Sequence, residues 1–317
     1  MERAVAQQFM SSLRHCKLCP RHCGVNRLQG QSGYCRSGAG LHIASITLHK
    51  GEEPVLSGRD GMCNVFFSHC NLQCIYCQNY QISRNIQREP GQTWSMERAT
   101  EEIIGLLERG IKRLGFVSPS HMVPQMTAMV ENLWLQGWKP IIVYNSNGYD
   151  QVHTLRQLEG LVDIYLPDYK YADATLAGKF SGAQDYPQVA AAALREMYRQ
   201  MGPLVHLDDD GLALRGMIVR HLVLPGQVQN SLAVLRFLAG ELSPKLTLSL
   251  MAQYWPTPAV AAHPQLGRRL FAEEYAAVVQ EWEELGCTEG FVQELESAEY
   301  YWPDFSKKEP FEDTPPG

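Results

Sequence analysis

Short apolar runs recur along the chain from residue 64, and segments with apolar residues at helical spacing separate them. Each run is of strand length and often β-branched, which is typical of buried strands. The predicted strands are 64–68, 113–118, 140–145, 162–167, 216–224 and 246–251. The helical pattern predicts helices at 2–13, 97–109, 122–137, 150–159, 186–201, 228–240 and 268–285.

This alternation predicts an α/β fold with a parallel sheet and right-handed crossovers. No Gly-x-Gly-x-x-Gly run follows a strand, which argues against a dinucleotide-binding doubly wound sheet. We therefore expect a partial (β/α)6 barrel of the TIM type, with its chemistry at the carboxyl ends of the strands. The predicted parts are a cysteine-rich N-terminal segment at 1–62, the barrel at 63–295 and a poorly ordered C-terminal tail at 296–317.

Composition limits the classes of function. The 317 residues are 45% hydrophobic, and their net charge of −6 argues against a nucleic-acid partner. No run approaches the ~18 apolar residues of a membrane span, and the first residues lack a signal-peptide pattern. Eight of the nine cysteines precede residue 78, unlike a secreted disulfide framework. We therefore expect a cytoplasmic protein, without a nucleic-acid or membrane partner, whose thiols bind metal.

The strongest motif directly follows the first predicted strand. Cys70, Cys74 and Cys77 have Cys-x3-Cys-x2-Cys spacing, and thiolates favour zinc, copper(I) or iron–sulfur clusters. Structural zinc takes four ligands, whereas three thiols suit three corners of a [4Fe–4S] cubane and leave the fourth iron open. A zinc knuckle with His69 as fourth ligand and a chance arrangement are the alternatives. His69 adjoins Cys70, however, so both side chains would have to turn onto one ion.

With Tyr76 before its last cysteine, this loop resembles the motif of the radical S-adenosylmethionine (SAM) superfamily. The resemblance implies a partial barrel of the radical SAM kind. It implies that the open iron binds the amino and carboxylate groups of SAM. It also implies that one electron from the cluster cleaves SAM to a 5′-deoxyadenosyl radical, and that Tyr76 belongs to the cofactor site.

Polar runs after the second and third strands extend this resemblance. Ser118 and Ser120 stand where many members carry a Gly-Gly-Glu-Pro run that holds the methionyl amino group, and the two serines are predicted to replace it. The next run, Asn145-Ser146-Asn147-Gly148, is similar to the Asp-Thr-Asn-Gly of glycyl-radical-enzyme activases. This similarity implies that Asn145 takes the place of the ribose-binding aspartate and that Asn147 lies in the same SAM site.

Three later strands carry the remaining candidates. Asp168 and Lys170 match an activase Asp-Leu-Lys run whose lysine lies near the SAM carboxylate. Residues 219–226 are similar to the activase run Ile-Arg-Tyr-Val-Val-Val-Pro-Gly, which implies that Arg220 faces SAM. His221 is predicted to point to the opposite face, because strand neighbours alternate. Gln253, after the sixth strand, is predicted to contact SAM or substrate.

A second set of cysteines precedes the barrel. Its four members complete a ligand set and are Cys16, Cys19, Cys23 and Cys35. A second iron–sulfur cluster, a structural zinc and the absence of metal all remain open for these residues. Glu52 and Glu53 follow, either to bind a substrate amine or to form a solvated turn, and we expect the turn.

Three runs are similar to those of a radical SAM branch described as pyruvate-formate-lyase activating-enzyme-like. They are the N-terminal cysteine run, Gly-Glu-Glu-Pro and Cys-Gln-Asn-Tyr-Gln-Ile-Ser. We therefore predict a SAM-dependent oxidoreductase that receives electrons from flavodoxin or ferredoxin. We expect it to abstract hydrogen from a protein or peptide substrate. A small molecule or cofactor precursor is the alternative substrate. The rival functions are a zinc-stabilised, non-catalytic binding module and an iron–sulfur electron carrier without SAM.

Overall fold

The computed structural model describes residues 3–86, 93–299 and 302–311. Within these ranges the strands are β1 Leu41–His49, β2 Met62–Phe67, β3 Thr93–Trp94, β4 Arg113–Val117, β5 Ile141–Ser146, β6 Ile164–Pro167, β7 His206–Leu207, β8 Ala213–Leu222, β9 Thr247–Met251 and β10 Gly290–Val292. The helices of the same ranges are α1 Arg3–Ser12, α2 Pro54–Ser57, α3 Tyr80–Ser83, α4 Met96–Leu107, α5 Val123–Leu135, α6 Val152–Gln157, α7 Ala174–Ser181, α8 Tyr186–Met201, α9 Val228–Phe237 and α10 Ala272–Glu284.

One sheet contains these strands in the order β10-β9-β8-β6-β5-β4-β2-β1-β3, with β7 beside β8. From β2 to β10 the neighbours along this path are parallel, whereas β1 pairs antiparallel with β2 and β3. Among the described residues the path begins at β10 and ends at β3, so the barrel is open. The six predicted strands all lie in the parallel part, which confirms the predicted partial α/β barrel.

The structure adds elements that the sequence pattern did not separate. β1 brings the N-terminal segment into the barrel's sheet, because it pairs with β2 from Ile43 to His49. β10 has only three residues, too few for a periodic signal, and it extends the parallel sheet beyond β9. The helix predicted from residue 268 begins at Ala272, and the helix predicted at 228–240 continues from α9 into a π-helical turn, Leu238–Leu242. Residue 2 of the first predicted helix lies outside the described residues.

Helices begin where side chains satisfy their free backbone N–H groups. Ser95 accepts a hydrogen bond from the Arg98 N–H at 3.1 Å at the start of α4. Asp173 accepts hydrogen bonds from Thr175 and Leu176 at the start of α7. Each helix so placed buries an apolar face, as α4 does with Ile103. In the described parts of the chain, no helix combines the length and the apolar character that crossing a membrane requires.

The inward face of the sheet changes from apolar to polar along the strand direction. The lower layer is fully buried and includes Val143, Leu166 and Ile218, with Leu56 of α2 beside them. Side chains two positions apart on a strand share a face. The next residues on this face are Asn145, Asp168 and Arg220. The apolar layer therefore closes the base of the barrel, and the polar layer opens into a cavity at the carboxyl ends.

Part of the tail predicted to be poorly ordered packs against the barrel. Phe305 packs edge-on against Phe66 of β2, with ring centroids 5.2 Å apart, and Phe311 lies 4.1 Å from the His49 ring. Gln81 of α3 bonds Asp304 and the Phe305 N–H. Residues 302–311 therefore pack over the end of β2, while 300, 301 and 312–317 lie outside the described residues.

Candidate active site

A cavity of about 610 Å³ opens at the carboxyl ends of the parallel strands. It brings together residues from the cysteine loop, from five strand ends and from the C-terminal segment. The predicted site residues that line it are Cys70, Cys74, Tyr76, Cys77, Ser118, Asn145, Asn147, Asp168, Lys170, Arg220 and Gln253. Ser120 is not among the lining residues. It is buried beside Tyr144 and Asp150, behind the end of β4.

The loop after β2 presents its three thiols to hydrogen-bond donors. The Leu72 N–H and the Asn147 amide each lie 3.3 Å from Cys70 Sγ. The hydroxyl of Ser181, at the end of α7, donates to Cys74 Sγ at 2.9 Å, and Ser83 donates to Cys77 Sγ at 3.3 Å. Such donors stabilise negative charge on sulfur, so this loop is built to hold thiolates rather than inert thiols.

Burial opposes the ionisation of these thiols. It raises the pKa of Cys70 to about 12 against the lowering effect of the Leu72 N–H. It raises the pKa of Cys74 to about 11, although the nearby Lys170 ammonium lowers that pKa. A cation that binds sulfur strongly is therefore needed to keep the loop ionised at neutral pH.

The donor set fits an iron–sulfur cluster held at three corners. In the residues that the structure describes, no three His, Cys, Asp or Glu side chains converge as one metal ion requires. A cubane gives each thiolate its own iron, so its ligands stand farther apart than those of a single ion. Three soft thiols on one loop, each with a hydrogen-bond donor, are the ligand type that such clusters take.

Tyr76 supports the loop through a chain of hydroxyls. Its hydroxyl lies 2.6 Å from that of Tyr171, and the Tyr171 hydroxyl lies 2.7 Å from Ser181 Oγ. Ser181 in turn donates to Cys74 Sγ. Burial raises the pKa of Tyr76 and Tyr171 well above the usual tyrosine range, so both hydroxyls stay protonated. Tyr76 thus lines the cavity, and its hydroxyl belongs to a chain of hydrogen bonds that ends at Cys74 Sγ.

The run after β5 is folded tightly against the cysteine loop. The Asn147 side-chain amide donates to Asn71 Oδ1 at 2.8 Å as well as to Cys70 Sγ, and Asn147 Oδ1 accepts from the Tyr149 N–H. Gly148 has φ +80°, and a Cβ there would collide with the Asp168 carbonyl oxygen. Asn145 lines the cavity from the end of β5, and Asn147 both lines the cavity and bonds the cysteine loop.

Asp168 and Lys170 form an ion pair in the cavity wall. Burial alone would lower the pKa of Lys170, but Asp168 and the thiols of Cys74 and Cys77 together raise it. Lys170 is therefore a fixed cation next to the cysteine loop. That Lys170 lies near the SAM carboxylate stays a prediction.

Arg220 is paired with the two glutamates that follow β1. Its guanidinium lies 2.7 and 2.6 Å from the two carboxylate oxygens of Glu53, and Nη2 also contacts Glu52. The side chains of Glu52 and Glu53 are only 7% and 5% exposed, so the prediction of a solvated turn is wrong. Burial opposes the charge on Glu52, but Arg220 and neighbouring groups lower its pKa to about 2.

His221, the neighbour of Arg220 on β8, points to the other face, as predicted. It is fully buried, with its ring nitrogens 2.7 Å from the Tyr169 carbonyl oxygen and 2.9 Å from Ser231 Oγ.

Two further predicted residues line the cavity. Ser118 does so with a left-handed backbone, φ 48°. Gln253 also lines the cavity and accepts a hydrogen bond from Gln293.

Several lining residues were not predicted from the sequence. They come from β1, from the segment after β9 and from the tail, and they include His49, Trp255, Trp302 and Phe311. Burial lowers the pKa of His49, so its imidazole is neutral near pH 7. The pairing of β1 with β2 places His49 at the cavity, and the strand-like alternation of 41–49 was the only sequence signal for it.

The four N-terminal cysteines also lie together. All of them line one small cavity, which His121 and Arg27 border. This group is separate from the large cavity but adjoins the cysteine loop from behind, because Arg21 Nε donates to the Asn71 carbonyl oxygen at 2.8 Å.

Comparisons with known proteins bear on the fold of the chain. No protein-family model matches the chain. An uncharacterized protein of Methanocaldococcus jannaschii is 26% identical over 265 residues, which cover 82% of this chain and 72% of that protein. The FeFe-hydrogenase maturase HydG from Carboxydothermus hydrogenoformans is similar in structure, with a TM-score of 0.52 and 11% identity over 92% of this chain and 65% of HydG.

Streptococcus suis SuiB bound to S-adenosylmethionine is similar with a TM-score of 0.47 and 9% identity, over 73% of this chain and 50% of SuiB. The chain therefore spans about half the length of SuiB and 65% of HydG. The likeness to HydG bears on the fold alone and agrees with the α/β partial barrel of the chain.

Proposed function

We propose that this protein is a radical SAM enzyme in which Cys70, Cys74 and Cys77 hold a [4Fe–4S] cluster. One observation carries the proposal. The three thiols open into the same cavity as the polar strand-end layer, which includes Asn145 and Asp168. Elements far apart in the sequence thus supply a soft ligand set and a polar pocket side by side, as SAM bound on a cluster requires.

A [4Fe–4S] cluster held by Cys70, Cys74 and Cys77 would supply the single electron that reductive cleavage of bound SAM to methionine and a 5′-deoxyadenosyl radical requires. The chain's own residues prepare the site for this. Asn147, Ser181 and Ser83 donate hydrogen bonds to the three cysteine sulfurs and stabilise their negative charge. The Lys170 ammonium adds a positive charge beside Cys74.

Lys170 also suits the carboxylate of SAM. An ammonium has three N–H donors, so Lys170 can keep its pair with Asp168 and hold a second carboxylate at the same time. Asn145 has an amide on the cavity wall that can bond ribose hydroxyls without charge. Ser118 lines the wall at the end of β4, where its hydroxyl and carbonyl can accept from the methionyl amino group.

Apolar side chains keep water from the space where a radical would react. Phe66, Met251 and Tyr254 line the cavity, and Trp302 and Phe311 of the C-terminal segment close one side. Exclusion of solvent protects a reactive intermediate from quenching. The C-terminal segment is therefore part of the site rather than an appendage.

The finer proposal concerns the substrate. We infer that a carbon of a protein or peptide loses hydrogen, supported by the similarity of the strand-end runs to those of the activases. A small-molecule substrate is the second candidate. It is favoured by the C-terminal segment 302–311, because Trp302 and Phe311 of that segment line the cavity. Flavodoxin or ferredoxin is the proposed electron donor.

Reductive cleavage of SAM tests the proposed function. Anaerobically reconstituted parent protein, reduced with dithionite, is expected to form 5′-deoxyadenosine and methionine. The Cys74→Ala variant is expected to form neither, while Cys287→Ala, which removes a thiol outside both cysteine sets, behaves as the parent does. Equal SAM cleavage by Cys74→Ala and the parent would refute the mechanism.

A deuterium experiment separates the two substrate classes. The reduced protein is incubated with SAM and either the macromolecular or the small-molecule fraction of a fully deuterated cell extract. Deuterium in 5′-deoxyadenosine only with the macromolecular fraction supports a protein or peptide. Deuterium only with the small-molecule fraction supports the alternative.

A further inference from the structure

The four cysteines of the N-terminal segment form a second ligand group of their own. Cys16, Cys19, Cys23 and Cys35 are free thiols and line one small cavity. The segment between them closes on itself, because the Cys16 N–H donates to the Val25 carbonyl oxygen and the Gly24 N–H donates to the Cys16 carbonyl oxygen.

The surroundings of these sulfurs suit thiolates that bind a cation. The Tyr34 N–H donates to Cys23 Sγ at 3.2 Å. Cys16, Cys19 and Cys35 are buried, and four clustered thiolates need a soft cation to neutralise their charge.

Structural zinc and an iron–sulfur cluster both take four thiolates. Zinc has no redox chemistry, so it would only hold the segment in place. An iron–sulfur cluster would also exchange electrons, and the position of this group beside the cysteine loop favours that role.

The second group is joined to the first by short contacts. The Asn85 amide donates both to the Tyr34 carbonyl oxygen at 3.0 Å and to the Cys70 carbonyl oxygen at 2.9 Å. Tyr34 is the chain neighbour of Cys35, so one side chain connects the backbone beside a ligand of each group.

From these contacts we propose that Cys16, Cys19, Cys23 and Cys35 hold a second iron–sulfur cluster that passes single electrons to the cluster at Cys70, Cys74 and Cys77. A flavodoxin- or ferredoxin-type donor reduces the N-terminal cluster by one electron. That electron then moves to the first cluster, so the N-terminal cluster returns to its oxidised state and no bond forms or breaks. The metal assignment stands without the proposed SAM chemistry, whereas the electron transfer rests on it.

Iron analysis of two matched variants tests the metal assignment. The parent is expected to hold about eight irons, and a Cys70→Ala/Cys74→Ala/Cys77→Ala variant about four with matching sulfide, because the N-terminal group is untouched. Cys16→Ala/Cys19→Ala is also expected to hold about four, and Cys287→Ala about eight. A loop variant without iron, or with about one zinc per chain, overturns the assignment.

Two readouts test the electron transfer. The fully reduced parent is expected to show electron paramagnetic resonance signals broadened by spin–spin interaction, which neither cysteine variant shows. Reduced flavodoxin is expected to reduce the first cluster several-fold more slowly in Cys16→Ala/Cys19→Ala than in the parent. Dithionite is expected to reduce that cluster equally fast in this variant and in the parent. Unbroadened, additive signals, or equal rates with flavodoxin, refute the transfer.

Discussion

Arg220 donates two hydrogen bonds to Glu53, from Nε at 2.7 Å and from Nη2 at 2.6 Å, at the base of the candidate active site. Glu52 binds the same guanidinium, so two carboxylates face one cation. This group carries one net negative charge inside the cavity proposed to receive the sulfonium of SAM. We infer that it attracts the positive ligand and also fixes β1 against β8.

The ion group is expected to contribute strongly to stability. Arg220→Met leaves two buried carboxylates without a partner and should lower the free energy of unfolding by about 3–5 kcal/mol. Glu53→Gln keeps a hydrogen-bond acceptor and should cost only about 1 kcal/mol. Urea denaturation of the metal-free proteins measures both values.

Arg236→Met is the matched control. Arg236 is 59% exposed and pairs with Glu281 on the surface, so its loss should cost at most about 1 kcal/mol. If the loss of Arg220 costs no more than the loss of Arg236, the group is not a structural anchor.

The same ion group predicts an acid limb, which is a fall in the free energy of unfolding at low pH. The pKa of Glu52 is about 2 in the folded protein, below its usual 4.5, because Arg220 outweighs the effect of burial. A lowered pKa contributes stability that is present above about pH 4.5 and lost as the pH falls toward 2. Glu52→Gln should flatten this part of a plot of unfolding free energy against pH. A variant curve parallel to that of the parent would show that Glu52 does not cause the limb.

Ser181 is predicted to tune the redox potential of the cluster. Its hydroxyl donates to Cys74 Sγ at 2.9 Å, and such bonds favour the more negative, reduced state. Ser181→Ala should lower the potential by roughly 30–60 mV, the equivalent of one hydrogen bond of about 1 kcal/mol. Potentiometric titration measures the change. Ser231→Ala, which removes a buried hydroxyl bonded to His221, should leave the potential unchanged.

The C-terminal segment should open when its aromatic contacts are removed. Phe305 packs against Phe66 and Phe311, and aromatic pairs are each worth about 0.5–1.5 kcal/mol. Phe305→Ala should therefore speed amide exchange at Phe305 and Lys307 by roughly threefold to tenfold. Phe271→Ala, at an exposed ring before α10, should not change it. Equal exchange in the parent and Phe305→Ala would mean that other contacts hold the segment.

The repeating part of the fold could be predicted from the sequence because burial leaves a periodic trace. Each parallel strand is a short apolar run, and Val143 or Ile218 must be apolar to fill the base of the barrel. The polar residue two positions later, Asn145 or Arg220, marks the carboxyl end of the same strand. The site could therefore be located, and the cysteine loop placed beside it, before the structure was known.

The long-range contacts that complete the site left no periodic pattern in the sequence. Glu52 and Glu53 meet Arg220 across 168 and 167 positions of the chain, so their charges looked like those of a solvated turn. The C-terminal segment is rich in charge and proline, and its sequence does not reveal that Phe305 and Phe311 pack against Phe66. Asn147 was predicted to lie in the SAM site and it lines the cavity, but its hydrogen bond to Cys70 Sγ could not be predicted, because that contact depends on how tightly the turn at Gly148 closes.

The most direct test of the central claim is electron paramagnetic resonance of the reduced protein with SAM labelled at its methionyl nitrogen and carboxylate. It is best done in the Cys16→Ala/Cys19→Ala variant, in which only the Cys70, Cys74 and Cys77 site remains to hold a cluster. If one iron of that cluster binds SAM, the label should produce resolved hyperfine couplings and the cluster signal should shift when SAM is added. A signal that stays unchanged with saturating SAM, and carries no coupling from the label, would contradict the account.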